Sequence, residues 1–414
     1  MADADLFEDL DPTPRLLMGP GPVDCYPSVL AAMATRLQGQ FDPEFTRHMG
    51  QVMALYRGVF RTKNQWTMLI DATARGGIEA CMASTLAAGD KLLVGVFGRF
   101  GHLKCEIGRR VGANVVSIDK EWGQIFTPDE IEAAIKLHRP KMLAICQGDT
   151  STTMLQPLNE IGAICRRHDV ILYTDCTASL AGNPFEMDAW QIDMASAGLQ
   201  KCLSGPPGVA PMSFNDRVEA IIRTRKHVEQ GLKAPGLVEG NGPIIQSNYF
   251  DLAMIMDYWS PQRLNHHTQG ASLLYAARES ARVVLREGID AGVARHRLAS
   301  RALRAGLEAM GLELYGDAAH RMANVTGVYI PKAITNGDKV RAEMLNDFGI
   351  EIGTSFGPLH GRIWRIGTMG YVCRQANVLR CLASLDAVLR RNGFGAPPNA
   401  GVDAAYKIYD HAKR

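Results

Sequence analysis

Paired-cysteine signatures are missing from this sequence. Its nine cysteines, at 25, 81, 105, 146, 165, 176, 202, 373 and 381, form no C-x-x-C pair and no His-Cys cluster at ligand spacing. A structural zinc is therefore not expected, and the thiols suit a reducing, cytoplasmic compartment. No apolar run approaches the roughly 20 residues of a membrane span. The acidic start, MADADLFEDLDPTPRLL, lacks the basic and apolar segments of an export signal. No charge of one sign dominates: Lys and Arg total 45 against 43 Asp and Glu, interspersed along the chain. Neither nucleic acid nor a membrane is an expected partner. Internal repeats, low-complexity tracts, and Walker or dinucleotide fingerprints are also missing.

What is present is an ordinary folded composition, 46% hydrophobic and 21% charged over 414 residues, enough for two cores. From about residue 66 to 215, short apolar runs alternate with amphipathic stretches, the rhythm of an α/β fold with a mostly parallel sheet. KLLVGVF (91–97), ANVVSID (113–119), KMLAICQ (141–147), VILYTDC (170–176) and DMASAGL (193–199) read as strands. GRFGHLKCEIGRRV, TPDEIEAAIKLH and LNEIGAICRRHD read as the helices between them. Thr127, Pro128 and Glu130 supply an N-cap, a proline at the first helical position and an acidic first turn.

After about residue 270 comes a long helical stretch, then a pattern of strand, strand, helix, strand, strand, helix through LELYG, NVTGVYIP, KVRAEMLNDFG, IEIGTSFG, RIWRIGTMGY and NVLRCLASLDAVLRR. The expected organisation is an N-terminal arm (1–25), a large α/β domain (26–270) and a small α+β C-terminal domain with its linking helix (271–414).

Asp175 ends one expected strand, and Gln200-Lys201 lies just past another. Ligands of open parallel sheets bind outside the carboxyl ends of strands, so these side chains are expected to share a crevice. A desolvated lysine can act as an amine nucleophile toward a carbonyl, and an aspartate can hold a pyridinium nitrogen protonated, the two electronic demands of pyridoxal phosphate. On spacing alone, a loop-capping Asp175 and a surface Lys201 read equally well. Asp71-Ala72-Thr73-Ala74-Arg75-Gly76-Gly77, before the helix pattern IEACMASTLAA, offers backbone donors for a phosphate. Arg365 sits within an apolar strand pattern and needs a carboxylate partner, either substrate or a structural Asp. Asn265-His266-His267-Thr268 lacks the further ligands of a metal site.

LLMGPGPV, VILYTDCTASLAG, LQKCLSGPPG and WRIGTMGY together resemble the class V aminotransferases of fold type I, the group of alanine- and serine-glyoxylate aminotransferases, over nearly the whole chain. The resemblance implies pyridoxal 5'-phosphate as cofactor, Lys201 as the lysine that carries it and shuttles the proton, and Asp175 on the ring nitrogen. It further implies Phe100 stacked on the ring, Thr150 beside it, and Thr73, Ala74, Arg75 and Gln200 on the phosphate. Thr268 matches a phosphate ligand supplied by a second subunit, which makes a homodimer the expected partner state, and Arg365 matches the arginine that grips the substrate carboxylate. LQGQFDPEF and RLNHHT resemble the branch acting on a ureido-bearing donor of purine breakdown with glyoxylate as acceptor. There, Gln40 and Asn265 replace the His and Tyr common in the family, and an amide complements a ureido group, donor against acceptor. The rival readings are an alanine- or serine-glyoxylate aminotransferase and a fold type I lyase such as a cysteine desulfurase. The latter needs a reactive cysteine in a mobile loop, which the sequence does not suggest.

Overall fold

The computed structural model describes residues 9–412; residues 1–8 of the expected arm and the last two residues of the chain lie outside the described part. Seven strands form the main sheet: β1 (Trp66–Ile70), β2 (Lys91–Val96), β3 (Asn114–Asp119), β4 (Met142–Cys146), β5 (Ile171–Asp175), β6 (Met194–Ser196) and β7 (Ala210–Phe214). Their order is β1-β7-β6-β5-β4-β2-β3, and every pairing from β6 to β3 is parallel. Only β7 runs antiparallel to its neighbours. β1, β4, β5, β6 and β7 are buried throughout, which is why they read as continuous apolar runs without alternation.

The helices that set the site are α1 (Pro43–Phe60), α2 (Ala74–Thr85), α3 (Arg99–Arg110), α4 (Pro128–His138) and α5 (Ile161–Arg167). At α4, Thr127 and Glu130 form the reciprocal capping box expected from their spacing, with Pro128 inside the first turn. α1 starts at Asp42, whose carboxylate accepts the Glu44 N–H at 2.7 Å, with Pro43 at the first helical position. The segment LQGQFDPEF is thus a helix start as well as a family mark.

The long helical stretch is two helices, α6 (Ala271–Glu287) and α7 (Ile289–Ala309), broken at Gly288, whose φ of +90° is costly for other residues. Beyond them β8 (Val325–Tyr329), β9 (Gly353–Thr354) and β10 (Ile363–Gly367) form an antiparallel sheet in the order β8-β10-β9. Two expected strands are shorter than their patterns. LELYG contributes a single bridge, Leu314 to Val328, and IEIGTSFG is split into Ile350–Glu351 and Gly353–Thr354, which join different sheets. Two late helices follow, α8 (Gln375–Arg391) and α9 (Ala400–His411), the second unforeseen; it packs on α7.

Apolar side chains gather into one large cluster around the main sheet, running from Phe45 to Val293, and a second built from Met18 and residues between Ala299 and Tyr409. All nine cysteines are free. Among the described residues no helix is long and apolar enough to cross a membrane, and no group of three or more His, Cys, Asp or Glu is placed to hold a metal ion.

Candidate active site

The carboxyl ends of five parallel-oriented strands deliver their following residues to one cavity of about 180 Å3. β1 leads to Thr73, Ala74 and Arg75, β2 to Phe100, and β4 to Thr150. β5 ends on Asp175, and β6 leads to Gln200 and Lys201. Eight of the residues singled out in the sequence therefore line one space, the crevice that a parallel sheet opens beyond its strand ends.

The phosphate cradle differs in detail from the expectation. The helix begins at Ala74, so Gly76 and Gly77 lie inside α2 rather than in a loop before it. Their lack of a side chain serves packing: a Cβ on Gly77 would stand 2.7 Å from the Ala210 Cβ on β7, and one on Gly76 would stand 2.4 Å from the Ala72 Cβ. Thr73 is the N-cap residue but makes no side-chain cap bond, and the Gly76 and Gly77 N–H groups donate to its carbonyl, which leaves the Thr73 hydroxyl and the Ala74 and Arg75 N–H groups as donors for an anion. Gln200 lines the same space; its buried Oε1 has no hydrogen-bond partner, and its Nε2 is the atom that can donate to an anion.

Lys201 is 9% exposed, and its amine donates to the Pro20 carbonyl of the MGPGPV segment. A Cβ on Gly21, at φ +98°, would stand 2.5 Å from the Lys201 Nζ. Burial, together with the nearby Arg365 charge, pulls the Lys201 amine down to about 8. At neutral pH it holds a proton that it can readily give up, which suits both a nucleophile and a proton carrier.

Asp175 is 5% exposed, and burial alone would raise its carboxyl. The ammonium of Lys104, 3.1 Å from Oδ2, overrides that and holds it below the usual range. Oδ1 accepts the Thr177 N–H at 3.0 Å. Lys104 was not foreseen. The available signal was a lysine between Gly101 and Gly108 in the buried stripe of α3, a position where helix periodicity demands an apolar side chain.

Arg365 is buried on β10, donating Nε to the Thr354 carbonyl at 2.5 Å and Nη1 to the Thr150 carbonyl at 2.8 Å, with the Phe356 ring 4.9 Å away. Burial lowers it to about 10. Among the described residues no carboxylate pairs directly with it, so the structural Asp allowed by the sequence is not there. Asp149, the nearest acid in electrostatic effect, instead takes the N–H groups of Phe100 at 3.0 Å and Ser151 at 2.9 Å and so fixes the start of α3.

Gln40, Asn265 and Thr268 do not line this cavity. Gln40 Nε2 donates to Asn265 Oδ1 at 3.2 Å, while Asn265 and Thr268 are exposed. Their loop is anchored by Asp71, two residues before Thr73, which accepts from Gln269 Nε2 at 2.5 Å and the Gly270 N–H at 2.8 Å. His266 and His267 bond to each other at 2.8 Å, and His267 faces Asp71 at 3.4 Å.

A lysine that readily loses its proton, an ionised aspartate at a strand end and an anion cradle on a helix start suit pyridoxal phosphate. The partnerless Gln200 oxygen marks space for a further polar group. The chain belongs to the aminotransferase class-V family, matched over residues 24–361, and its cofactor is pyridoxal 5'-phosphate on the fold type I scaffold. It is 48% identical to the (S)-ureidoglycine–glyoxylate transaminase of Bacillus subtilis, over 97% of this chain and 96% of that one. The crystal structure of ureidoglycine-glyoxylate aminotransferase from Bacillus subtilis superposes with a TM-score of 0.92 at 46% identity, covering 97% of this chain and 100% of that one. The alanine–glyoxylate aminotransferase of Drosophila melanogaster is 34% identical over 92% of this chain and 94% of its own.

Proposed function

We propose that the chain transfers the amino group of (S)-ureidoglycine to glyoxylate, releasing oxalurate and glycine, as a cytoplasmic homodimer with shared active sites. The observation that carries the donor assignment is the Gln40–Asn265 amide pair, which presents donors and acceptors side by side to a ureido group. The similarity to the Bacillus subtilis enzyme supports the same reading. The pair and Thr268 lie outside their own chain's cavity, and in the proposed dimer they complete the cavity of a second copy. Thr268 of the partner subunit then adds a hydroxyl to the phosphate held by Thr73, Ala74, Arg75 and Gln200.

Bound in the cavity, pyridoxal phosphate supplies an electron sink for the pair left when the donor Cα–H bond breaks. The rest falls to the chain. Lys201 Nζ would carry the cofactor; once released as free amine it would take the proton from the donor Cα and hand it to the cofactor, and run the same transfer in reverse, from the cofactor to the Cα of the forming glycine, in the half with glyoxylate. Asp175 would hold a proton on the ring nitrogen, Phe100 would cover one ring face, and Thr150 would stand at its edge. Arg365, with no carboxylate of its own, binds the carboxylate common to donor and acceptor. The amide pair meets only the ureido end, so it acts in the first half-reaction alone.

The test is product identification: holoenzyme supplied with freshly generated ureidoglycine and glyoxylate, read by NMR. Oxalurate and glycine in equal amounts support the assignment. Turnover of glyoxylate with L-alanine or L-serine, and none with ureidoglycine, overturns it.

A further inference from the structure

Lys104 has no exposed surface, and lysines are rarely buried without a full set of partners. Its ammonium has three N–H donors, and the structure offers one acceptor for each: Asp175 Oδ2 at 3.1 Å, Cys146 Sγ at 3.0 Å and the Phe100 carbonyl at 3.4 Å. It stands one helical turn beyond Phe100 in α3, so a single side chain ties the residue expected on the ring face to the one expected at the ring nitrogen. Burial by itself would strip its proton; the carboxylate of Asp175 keeps the proton on.

The surroundings single out this cation. Cys81, Cys146, Cys176 and Tyr173 also crowd Asp175, but burial raises all of them above their ordinary values, so they stay neutral. Asp149, which feels Lys104, and Lys201, which feels Asp175, are further charge-bearing groups with an influence here, and neither hydrogen-bonds Asp175. The negative charge of Asp175 is thus balanced from inside the protein before any ligand arrives, and a carboxylate already facing an ammonium is a weaker holder of a second proton.

We propose that Lys104 is a positioning residue that sets the strength with which Asp175 holds the proton on the cofactor's ring nitrogen, weakening that hold relative to an unpaired aspartate. The proposal rests on Asp175 facing the ring nitrogen. The ring would then withdraw electrons less strongly than with a free carboxylate.

The experiment loads the protein with pyridoxal phosphate carrying 15N in the ring and reads the ring-nitrogen chemical shift of the holoenzyme. In the unaltered protein the shift is expected between the values of neutral and fully protonated pyridine; a value at the protonated limit overturns the proposal without any variant. Lys104→Met is expected to move it toward the protonated limit, and Lys104→Arg to restore the original value. Lys104→Gln, which removes the charge but keeps a donor, serves if the methionine variant does not fold. A ring shift unchanged by loss of the charge, in a variant that Asp175→Asn still perturbs, overturns the role of Lys104 and leaves Asp175 in place. A shift that ignores Asp175→Asn as well overturns the placement of Asp175 itself.

Discussion

The Lys201 cavity and the Gln40–Asn265 surface are built on opposite plans. In the cavity, five strand ends of one chain bring Asp175, Thr150 and Lys201 together in buried positions, and the charges of Asp175 and Lys201 are adjusted by burial and by fixed neighbours such as Lys104. At the surface, two exposed or half-exposed amides from distant segments bond mainly to each other, Asn265 on a loop anchored to Asp71 and Gln40 just ahead of α1. In the proposed reading, the chemistry of amino transfer is carried by the strand ends and the choice of donor by a loop free to differ, which is how one scaffold can support several substrates.

The largest effect that would sharpen this contrast comes from Lys201→Ala, expected to lower turnover on the order of 10²–10⁴-fold with every donor, because a proton carrier is lost from both halves. Single-turnover absorbance with alanine and with ureidoglycine checks it. Arg365→Ala is expected to cost about 1.5–3 kcal/mol, the worth of a hydrogen bond to a charged group, in kcat/KM for glyoxylate and donor alike. An effect confined to one substrate contradicts a shared carboxylate grip.

Asn265→Ala is expected to cost about 1–3 kcal/mol in kcat/KM for ureidoglycine and to leave the glyoxylate half-reaction unchanged. Equal losses in both halves would break the division between the regions. Mixing inactive Lys201→Ala protein with Asn265→Ala protein, unfolded and refolded together, is expected to regain ureidoglycine turnover, since one site of each mixed dimer then carries neither change. No regain would place the amide pair in its own chain's site. The smallest effect concerns pH. Lys201 sits near 8 rather than 10.5, so its neutral fraction grows about tenfold per unit below that point. The rate at which cofactor-free protein takes up pyridoxal phosphate should rise with pH and level off above about 8, whereas a plateau only above pH 10 would show an ordinary lysine.

Much of the cavity was legible because backbone periodicity and strand-end position both leave traces in sequence. β2 to β6 stood out as apolar runs, and Asp175 and Lys201 stood at their ends. What escaped depends on contacts between distant segments. Lys104 looks like any helix lysine until Cys146 and Asp175 are placed beside it. Gly76 and Gly77 look like a loop until β7 passes 2.7 Å from where a Gly77 Cβ would be and Ala72 stands 2.4 Å from where a Gly76 Cβ would be. The reversed direction of β7 leaves no mark in its composition, and the split of IEIGTSFG comes from pairing with two different sheets.

The most direct test of the account is the first half-reaction alone. Purified holoenzyme is mixed with ureidoglycine or with L-alanine, and loss of the visible band of the pyridoxal form is followed in a stopped-flow instrument. Faster conversion by ureidoglycine, slowed toward the alanine rate by Asn265→Ala, is the predicted result. Faster conversion by alanine, untouched by that substitution, would contradict it.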